Sequence, residues 1–450
     1  MVPDCPQQKR SLSLLETYFA NRALIDFYRS VSLWIELQHP VGKETLVQSI
    51  AQLVPKHPAL CCSIFGADQK SLRVVVLKQI DLDAVISFQD GSESDNFLPS
   101  LIRNTNETKF EFNIENTPLW KVVIYNNRFV FFVFDHSLFD GVSAKIFLKE
   151  LANLALSASP PSSSDTDSRI LSIPSNMSAP PALENLAKMT PPFSYVAKSM
   201  LAEFAPGWLR LKPKSNRNPL IYPPLFHPIY DGKQRLRVFS ASQSIKLLQQ
   251  ARQHRTTVTA VICFVLCVAF GQTFEDSADV HLQVPLDARR FIPKSSDFPN
   301  PGDLIGPFVC QYSTDIPRVT EFNWHGAAAL GDGLEQGTNL EALYVPALIK
   351  FLFGRVQEWM LSKLGQSRDN DIEVSNVGAS DFPEGVSSFG FSQPIGTINP
   401  AIKLCVASVK GGKLSVTLTT ADSIIGEGNG DKLWNRVVDI LDKITADDAD

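Results

Sequence analysis

The residues most able to do chemistry lie in one short run, Phe134-Asp135-His136-Ser137-Leu138-Phe139-Asp140-Gly141. The chain has only seven histidines, and one of them here precedes an Asp-Gly pair by four positions. A neutral imidazole at His136 can accept the proton of a hydroxyl as that oxygen attacks an activated acyl group. A carboxylate four residues on, followed by glycine, suits a different task. Asp140 can turn inward, pair with an arginine and fix the loop that carries His136, which sets geometry more than stability. Spacing alone leaves a second reading open, in which Asp140-Gly141 is a plain turn and His136 a strand-end histidine packed in the core. Placement favours the first, because the run follows a strongly apolar strand and precedes a helix, where functional side chains are often presented.

Other chemistries find little support. The chain has no GxSxG elbow, no GxxxxGK[ST] loop and no HExxH pair, and its GEGNG run at 426–430 reads as a loop. His39, His57, His227, His254, His281 and His325 have no partner at ligand spacing, and no metal is expected. Seven scattered cysteines without a CxxC read as buried free thiols. Lys and Arg number 42 against 47 Asp and Glu, with no basic block, so nucleic acid is not an expected partner. The N-terminus lacks the apolar core of a secretory signal, and the longest apolar stretch, 258–270, is short for a bilayer. These features predict a reduced, cytoplasmic, globular protein, for which the N-x-S/T sites at Asn106 and Asn176 are irrelevant. Two segments, 193–211 and 345–365, mix apolar residues with Lys and Arg. Packing on the core is the commoner fate of such a helix. Peripheral contact with a membrane, such as the endoplasmic reticulum or a lipid droplet, is the alternative. The chain is read as a monomer, although spacing does not separate that from a trimer.

The elements that must hold the run in place can be read on either side of it. RSLSLLETYFANRAL has helical spacing, SVSLWIEL reads as a strand, and KETLVQSIAQLVPKHP reads as a helix ended near Pro55 and Pro58. ALCCSIF and LRVVVL are two further strands. WKVVIY and RFVFFVFDH flank Asn126-Asn127, a pair that tolerates the positive φ of a tight hairpin. GVSAKIFLKELANLAL then reads as a helix offering Ile146, Phe147, Leu148 and Leu151 to a core. From 157 to about 181 the chain turns rich in Ser and Pro, and proline persists to about 228. Strand, helix and apolar helix follow over RLRVFSASQSIKLLQQARQHRTTVTAVICFVLCVAFGQTF, with Thr257 or Thr259 as the cap of the last. VHLQVPL, IGPFVCQYSTDI and AIKLCVASVKGGKLSVTLTT read as strands before a closing helix near 434–444. With 450 residues, this gives two α/β lobes. Residues 1–156 form the first, carrying the His-Asp-Gly run, 157–234 form a linker and crossover, and 235–450 form the second.

FDHSLFDG resembles the HxxxDG signature of the CoA-dependent acyltransferase superfamily, which includes chloramphenicol acetyltransferase, plant BAHD acyltransferases and peptide-synthetase condensation domains. The opening RSLSLLETYF, SVSLWIEL, KETLVQSIAQLVPKHPAL and CCSIF resemble the start of the fungal alcohol acetyltransferase family. VPLDARRFIP and EVSNVGASDFP resemble its second-half motifs in the same order, so the likeness runs from about residue 10 to 440. It implies an α/β (α+β) fold of two chloramphenicol-acetyltransferase-like lobes, each a mixed sheet flanked by helices, with an active-site channel between them. It also implies transfer of acetyl from acetyl-CoA to an alcohol by direct attack, with His136 as base and no tightly bound cofactor. An amine acceptor such as a sphingoid base, a secondary-metabolite alcohol, or an inactive two-lobed binding protein are the alternatives. Asp140 matches the structural aspartate, Gly141 the residue that lets the backbone turn from the channel, and Arg289 or Arg290 the aspartate's partner, with Arg290 slightly preferred. Ser375 and Asn376 match the channel wall, where they would donate to the oxyanion or the CoA arm. The plant-type DFGWG motif is absent, its nearest echo being Asp381-Phe382-Pro383, which favours the fungal branch.

Overall fold

The computed structural model describes residues 8–446 apart from 67, 69, 95, 159–168, 205–231, 278, 295–299 and 338–339. The linker reading at 157–181 lies outside the described residues only at 159–168, and within it Ile170–Ser172 is a strand paired with Gln79–Asp81; the stretch 205–231 lies outside them.

Two mixed sheets dominate the architecture. The first runs in the order Val386–Ser392, Val31–Leu37, Phe129–Phe134, Trp120–Tyr125, Ile86–Gln89. Its pairs are antiparallel except the last. The expected hairpin is present: Asn126 and Asn127 adopt φ of 51° and 54°, the left-handed values a two-residue turn of this hand demands. Phe129–Phe134 lies centrally and every residue in it is buried, which is why its sequence runs apolar without alternation. Helix Gly141–Ser157 covers one face. Its Phe147 stacks on Phe132 at 4.2 Å, with Leu148 and Leu151 beside it, while Ile146 is only partly buried.

The second sheet has the order Gly232–Phe239, Leu414–Ala421, Ile402–Val409, Ile372–Ser380, Asp279–Asp287, Val309–Pro317. Its centre is parallel, with Asp279–Asp287 beside Ile372–Ser380 and that strand beside Ile402–Val409. Helix Val258–Thr273 is the core of this lobe, buried continuously from Ala260 to Gly271. Thr257 caps it by accepting from the Ala260 N–H, while Thr259 serves elsewhere. No single helix among the described residues is long and apolar enough to cross a membrane; one pair, Ala241–Gln253 with Val258–Thr273, passes on length and composition but bends by 96°.

The lobes are not separable along the chain. Strand Val386–Ser392 belongs to the C-terminal segment 235–450 by sequence, yet pairs with Val31–Leu37 of the first sheet. Gly390 stands opposite Trp34, and a Cβ there would lie 2.0 Å from the indole, so only glycine admits the buried ring. Asn106 then clamps the two strands, accepting from the Ser32 hydroxyl at 2.7 Å and donating to Ser392 Oγ at 2.8 Å. The segment at 345–365 does not form one amphipathic helix. It breaks into Tyr344–Ala347, Leu348–Leu352 and Val356–Ser362, because Phe353 and Gly354 both take positive φ. The other amphipathic segment gives helix Phe193–Phe204.

Candidate active site

Strand Phe129–Phe134 ends one residue short of Asp135, and helix Gly141–Ser157 begins five residues beyond His136. The intervening loop is tied down on both sides. Asp135 turns onto Ser137, accepting from its backbone N–H at 2.8 Å and from its hydroxyl. Asp140 caps the helix, accepting from the Ser143 N–H at 2.7 Å, with the Ser143 hydroxyl 2.7 Å from the same oxygen.

Asp140 also reaches the second lobe. Arg289 Nη1 donates to Asp140 Oδ2 at 2.8 Å and Nη2 to Oδ1 at 3.0 Å, and the Phe308 N–H donates to Oδ2 at 2.9 Å. The partner is therefore Arg289, correcting the preference for Arg290. The reason is local: Asp287 accepts from the Arg289 N–H and opens a single 3₁₀ turn that aims residue 289 inward and leaves residue 290 exposed over Phe291. Burial would raise the Asp140 carboxyl, but the Arg289 guanidinium and the Ser143 donors outweigh it and hold it below the usual carboxylate range.

Gly141 has a different task from the one the resemblance implies. Its φ is not positive; it is the first residue of the helix, and a Cβ on it would sit 2.6 Å from Val377 Cγ1. Glycine is needed there for close approach of the two lobes. Val377 stands at that point because strand Ile372–Ser380 has an irregular register between Asn376 and Ala379, with Gly378 at φ 76°. Lys145, one turn along the helix, donates to the Val377 carbonyl at 2.8 Å.

His136 faces a cavity of about 220 Å³ walled by both lobes. Phe19 stacks flat on its ring, at 4.1 Å and 12°, and Phe134 meets it edge-on. Nδ1 is buried without a well-aligned hydrogen bond, its own backbone carbonyl giving weak support, so Nε2 is the nitrogen presented to the cavity. Burial first, then the nearby Arg22, push the imidazole down to about 4, with Asp140 opposing and Lys403 adding to the fall. The ring is neutral at ordinary pH, the form a base requires.

Ser375 lines the same cavity with its hydroxyl unengaged among the described residues. Asn376 lines it too but is largely committed, donating to Thr259 Oγ1 at 2.9 Å and accepting from the Gly378 N–H at 2.8 Å. Of the other described histidines, His57 pairs with Glu150, His281 with Asp315, and His254 stacks on Trp324. Sequence reasoning missed Arg22, Tyr28, Glu373, Gln393 and Lys403, all on the wall facing His136. Arg22 had a signal, since it falls at i+3 and i+7 from Phe19 and Leu15 on the helix's buried stripe. Lys403 had one as well, being a lone charge inside an otherwise apolar strand. A second cavity, of about 580 Å³, adjoins the first through Phe19, Val309, Gln311 and Asn399, and its walls are mostly apolar.

The family profile of alcohol acetyltransferases matches residues 11–301. The chain belongs to the alcohol acetyltransferase family. An uncharacterised protein of Schizosaccharomyces pombe is 24% identical to it, covering 98% of this chain and 97% of its own. The N-acetyltransferase SLI1 of Saccharomyces cerevisiae is 19% identical, covering 92% and 95%. Among solved structures, the trichothecene 15-O-acetyltransferase TRI3 of Fusarium sporotrichioides superposes with a TM-score of 0.66 at 12% identity over 97% of this chain and 94% of its own. The condensation domain of the monacolin K polyketide synthase MokA gives 0.63 at 10% identity over 97% of each. The fold is that of these two-lobed structures, and membership of the family makes the chain an acyltransferase.

The lobe contact at Gly141 generates a test. Gly141→Ala forces Val377 aside and is expected to lower stability by about 1–3 kcal/mol, as overpacking does. Adding Val377→Ala opens the space again, so the double variant should melt above Gly141→Ala alone. Melting curves read this directly; a double variant that melts lower than both single ones contradicts the close-approach account.

Proposed function

We propose that the enzyme transfers an acyl group, acetyl in the first instance, from acyl-CoA to an alcohol, with His136 as general base. The observation that carries this reading is the presentation of His136 Nε2, neutral and held between aromatic rings, to a cavity shared by both lobes. In the reaction, the acceptor O–H bond breaks as Nε2 takes the proton, and the oxygen forms a bond to the thioester carbonyl carbon. The carbonyl electrons move onto oxygen, to which the uncommitted Ser375 hydroxyl on the second-lobe wall would donate. The C–S bond then breaks, and the departing CoA thiolate takes the proton from the imidazolium. No acyl-enzyme forms. Asp140 does not touch the proton; with both oxygens engaged by Arg289, Ser143 and Phe308, it holds the loop.

Two adjoining cavities suit two substrates. The pantetheine arm would run along Ser375, Asn376 and Lys145, and the acceptor would occupy the larger apolar cavity on the other side of Phe19. Enclosure there limits hydrolysis and supplies the orientation that a ternary mechanism needs. An amine acceptor is the second reading, favoured by the near full-length similarity to an N-acetyltransferase. The same nitrogen would serve an amine.

Thiol release from acetyl-CoA, with and without a panel of alcohols and amines and with products confirmed by mass, tests the proposal. Acceptor-dependent release should fall by ~10²-fold or more in His136→Ala, since loss of a general base costs that much. CoA binding should persist. Retention of more than about a tenth of the wild-type kcat would remove the base role. The pH profile gives a second check. Because the neutral imidazole is the active form, kcat/KM for a neutral alcohol should stay level as pH falls and decline only with a midpoint near about 4. A midpoint near the ordinary histidine value of 6.5 would contradict the environment described.

A further inference from the structure

The wall opposite His136 gathers more positive charge than the acyl-transfer chemistry uses. Arg22 and Lys403 are 3% and 1% exposed, and both line the cavity. Both also sit on one aromatic ring, that of Tyr28: Arg22 Cζ lies 3.8 Å from its centroid and Lys403 Nζ 4.9 Å. Arg22 has no carboxylate partner among the described residues. Its Nη1 donates to Asn399 Oδ1 at 3.2 Å, and its buried Nε donates to nothing. Lys403 has only Glu373, at 3.9 Å, beyond hydrogen-bond reach. That carboxylate is already engaged, accepting from Gln283 Nε2 at 3.2 Å and from Gln393 Nε2 at 3.0 Å. Asp135 is near Arg22 but is turned onto Ser137 and does not line the cavity.

Two cations buried against one ring, with one occupied carboxylate near the lysine, are costly to keep unless an anion completes the set. The cations lie too deep for the phosphates of a nucleotide held at a protein surface, so the anion must be close to the reacting atom. Their side of the cavity is the one continuous with the larger apolar chamber, through Phe19 and Asn399. An arginine with free N–H groups beside a lysine matches a planar carboxylate, which can take two parallel bonds from the guanidinium. We propose that Arg22 and Lys403 form a subsite for an acidic group, a carboxylate foremost, on the acceptor, so that the preferred acceptor is an amphiphile with an apolar chain and an anionic head carrying the nucleophile. This rests on the acyl-transfer reading for its catalytic consequence, though not for binding. A bound anion would also offset the positive wall that disfavours imidazolium at His136, which makes the acidic acceptor a better substrate as well as a tighter ligand.

The test uses α-hydroxydecanoate, its methyl ester and the corresponding α-hydroxydecylphosphonate with the full chain. For the wild type, kcat/KM should be at least about tenfold higher for the acid than for the ester, the magnitude of about 1.4 kcal/mol of binding. Lys403→Met and Arg22→Gln should each collapse that ratio towards one. Calorimetric binding of acid and ester without any acyl donor provides the same ratio independently of turnover, and in the wild type alone if a variant fails to fold. Acid preference in binding with no turnover of any acceptor would sustain the subsite while removing the acyl-transfer reading. Equal binding of acid and ester by the wild type overturns the proposal. So does an equal loss for both in Lys403→Met, which would assign the lysine to the oxyanion or to the fold. Preference for the phosphonate over the carboxylate would overturn the choice of carboxylate.

Discussion

The bidentate pair between Asp140 and Arg289 is the contact on which the arrangement of the site depends. Asp140 belongs to the loop that carries His136, and Arg289 belongs to the second lobe, so one ion pair fixes both His136 and the gap it faces. Its energetics match that role. Side-chain exposure is 2% and 6%, and five donor contacts reach a single carboxylate, so neither charge is left bare. A buried pair of this kind adds little net stability when complete, yet removing one partner leaves an uncompensated charge that costs about 3–5 kcal/mol. It acts as a geometric constraint more than as a source of stability. Val386–Ser392, which crosses into the first sheet, and Gly141, which admits Val377, are further results of the same requirement that the lobes meet closely.

Around that constraint, aromatic packing and electrostatics set the condition of the His136 ring. Phe19 prevents the imidazole from swinging, and burial with Arg22 and Lys403 keeps it neutral. The same positive wall that protects the neutral form would resist the imidazolium that the proposed reaction forms. A site with that imbalance works best when an anion arrives with the substrate, which links the local charge on the wall to the choice of acceptor.

Much of this was legible in the sequence, and the reasons are physical. His136, Asp140 and Gly141 stand out because a strand, a loop of fixed length and a helix cap leave few ways to arrange them. The Asn126-Asn127 hairpin was legible because only a few residues accept left-handed φ. Arg289 against Arg290 was not, because the direction of a side chain in a 3₁₀ turn depends on the Asp287 cap and on where the other lobe lies. Gly390 opposite Trp34, and the passage of its strand into the first sheet, are contacts across more than 350 positions that no local pattern reports. Arg22 and Lys403 left a faint trace as charges on buried faces, and their convergence on Tyr28 is visible only in three dimensions. The amphipathic pattern at 345–365 misled in the other direction, since its periodicity does not register the break at Phe353 and Gly354.

The central claim, that one cross-lobe ion pair positions the proposed base His136, is tested most directly by a double-mutant cycle of Asp140→Asn and Arg289→Gln. The cycle is read in both kcat/KM and melting temperature. If the pair acts as a unit, each single variant loses activity and stability together, and the double variant is no worse than the poorer single one. Additive losses, or loss of activity in Asp140→Asn with an unchanged melting curve, would mean that Asp140 takes part in the chemistry itself and that the latch is not what holds His136.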